Sequence, residues 1–414
     1  MAELHDNQEI IEKLILIGVS TSDNDDTEVS LLELKELVKT AGGETAGIVI
    51  QNREKIHPGT YIGMGKIEEV KNLITETGAT GVVCDDELSP AQLKNLENEL
   101  DTKVMDRTLV ILDIFARHAS TSEGKIQVEL AQLKYRMSRL AGLYSSLSRL
   151  GGGIGTRGPG EKKIEMDRRL IRDRIAQLNR ELEDVKAHRE VLRAQRSKNP
   201  STVIAIVGYT NAGKSTLLNA LTGAGILAED MLFATLDTTT RSMELDSKET
   251  VLLTDTVGFI RKLPHNLIDA FRSTLEEARY ADIIIHVADA SSPDLDTHMH
   301  VVYQTLDELG VKDKPIITLF NKMDAVNTDA TLKDLAADRT LKISAKTGMG
   351  LDKLKSTIEE ILREQKVYVE KVYDYSEAGK IQTIRKYGQL LSEEYTGDGI
   401  AVKAYVPHEI VNKV

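Results

Sequence analysis

Apolar and polar positions change period along this 414-residue chain, and each change marks a new kind of element. Over the first 110 residues, short apolar runs alternate with stretches whose apolar residues recur every three or four positions. The pattern predicts strands at 14–19, 46–50 and 81–84 and helices at 29–38, 66–74 and 89–100, the makings of a small α/β subdomain. Ser89-Pro90 with Gln92 supplies a helix start, and Gly63-Met64-Gly65-Lys66 reads as a turn opening another. From Ile126 the spacing becomes heptad-like through Leu130, Leu133, Met137, Leu140, Tyr144 and Leu147. It resumes through Ile164, Ile171, Ile175, Leu178, Leu182 and Val185, with Arg168 as the polar break. Two such helices joined by a short loop predict an antiparallel hairpin within 111–199. After Ser197-Lys198-Asn199-Pro200 the apolar runs 203–207, 251–254, 315–320 and 341–343 predict a mostly parallel sheet with helices on both faces, spanning 200–366. The remainder, 367–414, holds strands near 367–373 and 400–406 around one helix, a small α+β extension expected to pack on the preceding domain. The fold class is α/β.

Polar residues at the ends of these runs carry the chemistry. Gly208-Tyr209-Thr210-Asn211-Ala212-Gly213-Lys214-Ser215-Thr216 follows a buried strand and has phosphate-loop spacing. Its glycines let backbone N–H groups curl round a phosphate at a helix N-terminus, with Lys214 toward the outer phosphates and Ser215 toward magnesium. Alone, this loop suits an ATPase equally well. Asn321-Lys322-Met323-Asp324, at the end of another strand, narrows the choice: a carboxylate only accepts hydrogen bonds, so Asp324 matches guanine's ring N–H and amine rather than adenine. Ser344-Ala345-Lys346 supplies a further wall. Asp255-Thr256-Val257-Gly258 places a carboxylate to hold magnesium through water and a backbone N–H at Gly258 to sense a terminal phosphate. Between these lies Phe233-Ala234-Thr235-Leu236-Asp237, where Thr235 is taken as a second magnesium ligand by its similarity to related GTPases, with Thr238, Thr239 and Thr240 as rivals. The set predicts a protein that binds and hydrolyses GTP with Mg2+, with Lys214, Thr235, Gly258 and Asn211 closest to the chemistry. Phe259 stands where Ras-like proteins carry a water-orienting glutamine, so slow hydrolysis is expected until a partner orders the site. Asn211 resembles the asparagine with which some translation-related GTPases hold K+.

Charge then separates the hairpin from the rest. The chain carries a net −12, yet residues 134–174 carry eleven Lys or Arg against four Asp or Glu, leaving −19 elsewhere. The hairpin loop has six glycines in the ten residues from Gly151 to Gly160. Gly151, Gly152 and Gly153 permit close approach to a phosphate backbone, while Arg149, Arg157, Lys162 and Lys163 supply charge, so these seven are RNA-contacting candidates. The competing reading is a flexible connector with a solvated basic face. Cys84, the single cysteine, excludes an internal disulfide and sits among apolar neighbours as a buried strand residue; His298 and His300 read as surface residues. No apolar run has bilayer length and the first residues lack signal-peptide character. The expectation is a cytoplasmic monomer with no membrane association.

The segment GGGIGTRGPGE from Gly151 to Glu161, with Asp167-Arg168-Arg169, Asp106-Arg107 before Ile111-Leu112-Asp113-Ile114-Phe115, and the GYTNAGKST, FATLD and DTVGF motifs, closely resembles the HflX GTPases over nearly the whole chain. The resemblance implies a factor whose N-terminal part binds the large ribosomal subunit and its RNA, with the hairpin directed at the peptidyl-transferase centre, and which splits stalled or stressed ribosomes. The alternative is a GTP-dependent ribosomal-RNA-binding module that leaves ribosomes intact. Thr238 departs from the family's usual proline, which bears on the stiffness of that segment.

Overall fold

The computed structural model describes residues 11–21, 26–150, 159–196, 202–223, 231–233, 235–236, 238–264, 277–326, 332–397, 399–407 and 410–414. The chain divides into two compact units, Met1–Lys186 with Glu229–Asp237 and Ile260–Ser273, and Ala187–Ala228 with Thr238–Phe259 and Thr274–Val414.

The first unit opens with a four-stranded, all-parallel sheet in the order β2-β1-β3-β4, built from β1 (Lys13–Ser20), β2 (Glu44–Asn52), β3 (Gly81–Cys84) and β4 (Lys103–Asp106). Between them run α1 (Thr27–Thr40), α2 (Met64–Thr77) and α3 (Pro90–Leu100). β1 is central, and its six consecutive buried residues show why a parallel strand reads as a continuous apolar run rather than an alternating one. α3 starts as the sequence predicts: the Ser89 Oγ accepts from the Gln92 N–H, and the Gln92 side chain accepts from the Ser89 N–H. Cys84 is fully buried, and desolvation pushes its thiol pKa well up, so it packs as an apolar group.

Two elements were not expected. β4 has only four residues, and α4 (Arg107–His118) is apolar on several faces, so neither shows a clean period. Asp106 joins them by capping α4, its Oδ1 accepting from the Leu109 N–H at 3.0 Å.

The hairpin consists of α5 (Ser122–Leu150) and α6 (Pro159–Arg196). Ile126, Leu130 and Leu133 meet Ile175, Leu178 and Leu182 in its seam, as the heptads predict. Farther along, Leu140, Leu170 and Ile171 line a groove with Arg136, Arg139 and Asp167, and Met166 and Leu170 are exposed. Beside this groove, Tyr135 donates to Asp106 Oδ1 at 2.8 Å and Arg139 pairs with the same carboxylate. A buried charge thereby ties α5 to the edge of the sheet.

In the second unit a six-stranded sheet runs β10-β9-β8-β5-β7-β6. It contains β5 (Val203–Gly208), β6 (Thr239–Glu244), β7 (Thr250–Asp255), β8 (Ile283–Asp289), β9 (Ile316–Asn321) and β10 (Arg339–Lys342). All pairs are parallel except β6 with β7. α7 (Lys214–Thr222), α8 (Glu277–Tyr280), α9 (Leu295–Glu308) and α10 (Leu351–Glu364) accompany the strands. Ile204, Ile206, Leu217, Leu253, Ile285, Leu319 and Ile358 belong to one core joining sheet and helices. β11 (Lys366–Tyr373), β12 (Gln389–Thr396) and β13 (Gly399–Pro407) form an antiparallel sheet, order β11-β13-β12, packed on α11 (Ala378–Tyr387) through Ile381 and Ile384. A Lys366–Glu249 ion pair of 2.7 Å links this sheet to the loop before β7.

Candidate nucleotide site

β5 is flanked by β8 and β7, so the loop leaving it opens at the carboxyl edge of the sheet, between strands on both sides. Two glycines are fixed there by lack of room. Gly213 has φ +95°, and a Cβ on it would lie 2.4 Å from Asn321 Nδ2; a Cβ on Gly258 would lie 2.8 Å from Thr210 Cα and 2.9 Å from Lys214 Nζ. The loop ends in α7, whose first turn holds Lys214, Ser215 and Thr216.

Lys214 is buried and donates to the Tyr209 carbonyl at 2.8 Å. Desolvation pushes its pKa down to about 8, with Asp255 opposing. A cation so poorly solvated gains strongly from an anion brought beside it. Ser215 Oγ donates to Asp255 Oδ2 at 2.7 Å, bringing together two of the three expected magnesium-binding groups. The hydroxyl and the acidic oxygen are hard donors that fit a hydrated divalent ion. The third, Thr235, falls with Phe233 and Leu236 in the first compact unit, and Ala234 and Asp237 lie outside the described residues.

The segment after β7 is laced to the phosphate loop. Thr210 N–H donates to Phe259 O at 2.8 Å, Phe259 N–H donates to Gly208 O at 3.1 Å, and Thr256 Oγ1 donates to Ile206 O at 2.8 Å. Gly258 is therefore held over Thr210 and Lys214, while the Phe259 ring is buried.

Asn321 holds the loops of the site together. Its Nδ2 donates to Ala212 O at 2.8 Å and its Oδ1 accepts from the Ala345 N–H at 2.9 Å, so one buried amide braces the phosphate loop against the Ser344-Ala345-Lys346 turn. Asp324 is exposed, not buried; Ser344 Oγ donates to its Oδ1 at 2.6 Å, and this bond holds its pKa below the usual aspartate value. Leaving this carboxylate unpaired therefore becomes costly, and selects for guanine, only once a base covers it. Lys322, at φ +62°, pairs with Asp289 at 2.8 Å.

Three features escaped the motif reading. Asp289, which orients Lys322, ends an apolar run, Ile283–Asp289, that carries the same strand signal as its neighbours. His298 is not a plain surface residue, since its ring stacks on Tyr209 with centroids 3.8 Å apart. His286 is buried in β8; Thr318 Oγ1 and Tyr303 OH each donate to Asp334 Oδ2 at 2.6 Å, with the His286 Nδ1 3.9 Å from the same oxygen. Burial drives the His286 pKa down to about 4, with Lys214 adding to the effect and Asp334 opposing it. Of the hairpin candidates, Gly151, Gly152, Gly153 and Arg157 and the side chains of Arg149, Lys162 and Lys163 lie outside the described residues.

A glycine-lined loop entering a helix, locked by one asparagine to a turn that presents an aspartate, is the arrangement of a P-loop GTPase. Comparisons with known proteins agree. Family profiles described as "GTP-binding GTPase N-terminal", "GTP-binding GTPase Middle Region" and "50S ribosome-binding GTPase" match residues 28–116, 118–196 and 203–322. "GTPase HflX" of Lacrimispora saccharolytica is 68% identical over 99% of this chain and 97% of its own. The protein of the same name from Caldanaerobacter subterraneus subsp. tengcongensis is 49% identical (97% and 93%), and that of Escherichia coli K12 41% (87% and 85%). The crystal structure of SsGBP with GDP shares 27% identity over 85% of this chain and 98% of its own, at a TM-score of 0.47. The chain belongs to the HflX family of GTPases, and it hydrolyses GTP as members of that family do. Among the described residues, no helix is long and apolar enough to cross a membrane.

Proposed function

We propose that this GTPase binds the large ribosomal subunit in its GTP-bound form and separates stalled or stressed ribosomes, hydrolysis permitting its release. The observation that carries the reading is a nucleotide pocket on the same chain as a long basic hairpin. Helices of 29 and 38 residues extend about 43 and 57 Å at the usual rise, enough to carry a tip well away from its base. The family profile over 203–322 bears a ribosome-binding description, and the local excess of positive charge suits an RNA partner. The proposed organisation is an N-terminal subdomain (1–110), the hairpin (111–199), the GTPase domain (200–366) and the extension (367–414), acting as a cytoplasmic monomer.

In the pocket, Lys214 and the N–H groups opening α7 hold the phosphates, Asp324 reads guanine, and Lys322 and Ser344-Ala345-Lys346 flank the base. Ser215, Thr235 and, through water, Asp255 would hold Mg2+, which when bound offsets phosphate charge. Asn211 serves as the potassium-side residue. Gly258 N–H senses the terminal phosphate. Because the Phe259 side chain offers no polar atom to a water, the ribosome supplies the missing order and accelerates turnover. Sedimentation of intact ribosomes with the protein and a non-hydrolysable GTP analogue tests the proposal: free subunits should increase, and an unchanged profile would contradict splitting.

A further inference from the structure

Thr210 is the third residue of the loop that begins at Gly208, and its backbone is held firmly. Its N–H donates to Phe259 O at 2.8 Å, and Tyr209 before it is bridged to Phe259, so the position of its Cβ is set. The side chain is not satisfied in the same way. Thr210 keeps 6% of its surface exposed, and its Oγ1, shielded from solvent, meets no hydrogen-bond partner among the described residues. A buried hydroxyl left unpaired is costly, and in a binding loop it calls for a ligand atom that completes it.

Its neighbours identify that atom. A Cβ on Gly258 would lie 2.8 Å from Thr210 Cγ2 and 2.9 Å from Lys214 Nζ, so the threonine methyl, the lysine ammonium and the Gly258 backbone crowd one point. Lys214 and Gly258 are the groups assigned above to the outer phosphates. Methyl and hydroxyl share one Cβ, and a single staggered step about Cα–Cβ carries the hydroxyl to where the methyl stands, without moving the main chain. That step also leaves no polar atom in the enclosed position. Thr210, Lys214, Gly258 and Phe259 all belong to the second compact unit, so the arrangement is complete within it.

We propose that Thr210 is a catalytic residue: in the GTP complex its hydroxyl takes this position and donates a hydrogen bond to an oxygen of the terminal phosphoryl group, beside Lys214 and Gly258. The inference rests on the nucleotide-site reading above. A hydroxyl bonded to a phosphate oxygen is a charge-assisted donor, fixed in advance where charge is redistributed during transfer. GDP has no terminal phosphoryl group there, so the bond contributes to GTP turnover and not to GDP binding. Phe259 offers no side-chain donor, and Thr210 therefore carries part of the hydrolysis that the protein performs alone.

The test is single-turnover GTP hydrolysis, GDP affinity and nucleotide-free urea denaturation of the full chain carrying Thr210→Val or Thr210→Ser. Valine keeps the shape and removes the hydroxyl, so the rate should fall about tenfold, with GDP affinity within about twofold of the parent. Serine keeps the hydroxyl and should retain the rate to within about threefold. Because valine removes an unpaired buried polar atom, the urea midpoint of Thr210→Val should be equal to the parent's or higher. An undiminished rate for Thr210→Val, a serine variant as slow as the valine one, a loss of GDP affinity equal to the loss of rate, or a lowered urea midpoint for Thr210→Val would overturn the proposal. Lys214→Ala, measured alongside, separates the two levels of inference: retained GDP binding there would remove the nucleotide-site assignment itself, whereas lost GDP binding with an undiminished Thr210→Val rate would remove only the role of Thr210.

Discussion

Two sheets of mostly parallel strands in this chain end in charged residues and use them in opposite ways. At the ends of β3 and β4, Asp85 and Asp106 are completely buried, yet protein donors meet both: Arg107, Ser30 and Lys262 for the first, and Arg139, Tyr135 and the N–H groups of Leu88 and Leu109 for the second. At the end of β5 the chain presents glycine-bearing backbone and one buried lysine whose charge is poorly solvated. One sheet neutralises its charges internally; the other leaves a cation that an incoming phosphate can satisfy. The shared architecture does not decide which, and the loop residues do.

The sharpest way to break this contrast is to remove the lysine. Lys214→Ala should weaken GTP and GDP binding by about a thousandfold or more, because charge-assisted bonds to phosphate vanish and backbone donors alone remain. Isothermal titration measures it, and near-parent affinity would show that the pocket does not depend on its cation. Next in size is Arg107→Met, at the start of α4 just after the last strand of the other sheet. It leaves the buried Asp85 and the partly buried Glu33 without their guanidinium partner, so nucleotide-free stability should fall by about 3–5 kcal/mol in urea denaturation. A change below about 1 kcal/mol would mean that the buried charges are not held mainly by this residue.

The smallest expected effect lies under the pocket. His286 is neutral in the folded protein, with a pKa of about 4 against about 6.5 when unfolded. A depressed folded value means that the unfolded chain binds the extra proton first. The stability associated with a neutral His286 is therefore complete above pH about 6.5 and declines as pH falls toward 4, by on the order of 3 kcal/mol. Denaturation of the parent and of His286→Gln at pH 7 and pH 4.5 isolates this contribution; parallel losses in both proteins would assign the pH dependence to other groups.

How much was legible in the sequence follows the same division. Where strands are buried on both faces and bounded by turns, as at Leu14 to Val19 or Gly81 to Cys84, the apolar runs locate them within a residue or so. β6, Thr239–Glu244, is a largely polar edge strand held by antiparallel pairing with β7, so its own residues do not announce it. β12 has a register shift between Leu390 and Ser392 that interrupts alternation. The phosphate loop and the Asn-Lys-Met-Asp turn are local in sequence and readable there. The division of labour within them is not: that Asn321 braces two loops while Asp324 faces solvent depends on Ala212 and Ala345, 109 and 24 residues away. The pairing of Lys262 with Asp85 spans 177 residues, and only the folded chain brings the two together.

The central proposal is that the large ribosomal subunit completes the site of this GTPase, which lacks a water-orienting side chain at Phe259. Steady-state GTP turnover with and without purified large subunits tests it most directly. The account predicts slow release of phosphate by the protein alone and a rise of at least about tenfold when subunits are added. Equal rates in the two samples would contradict it.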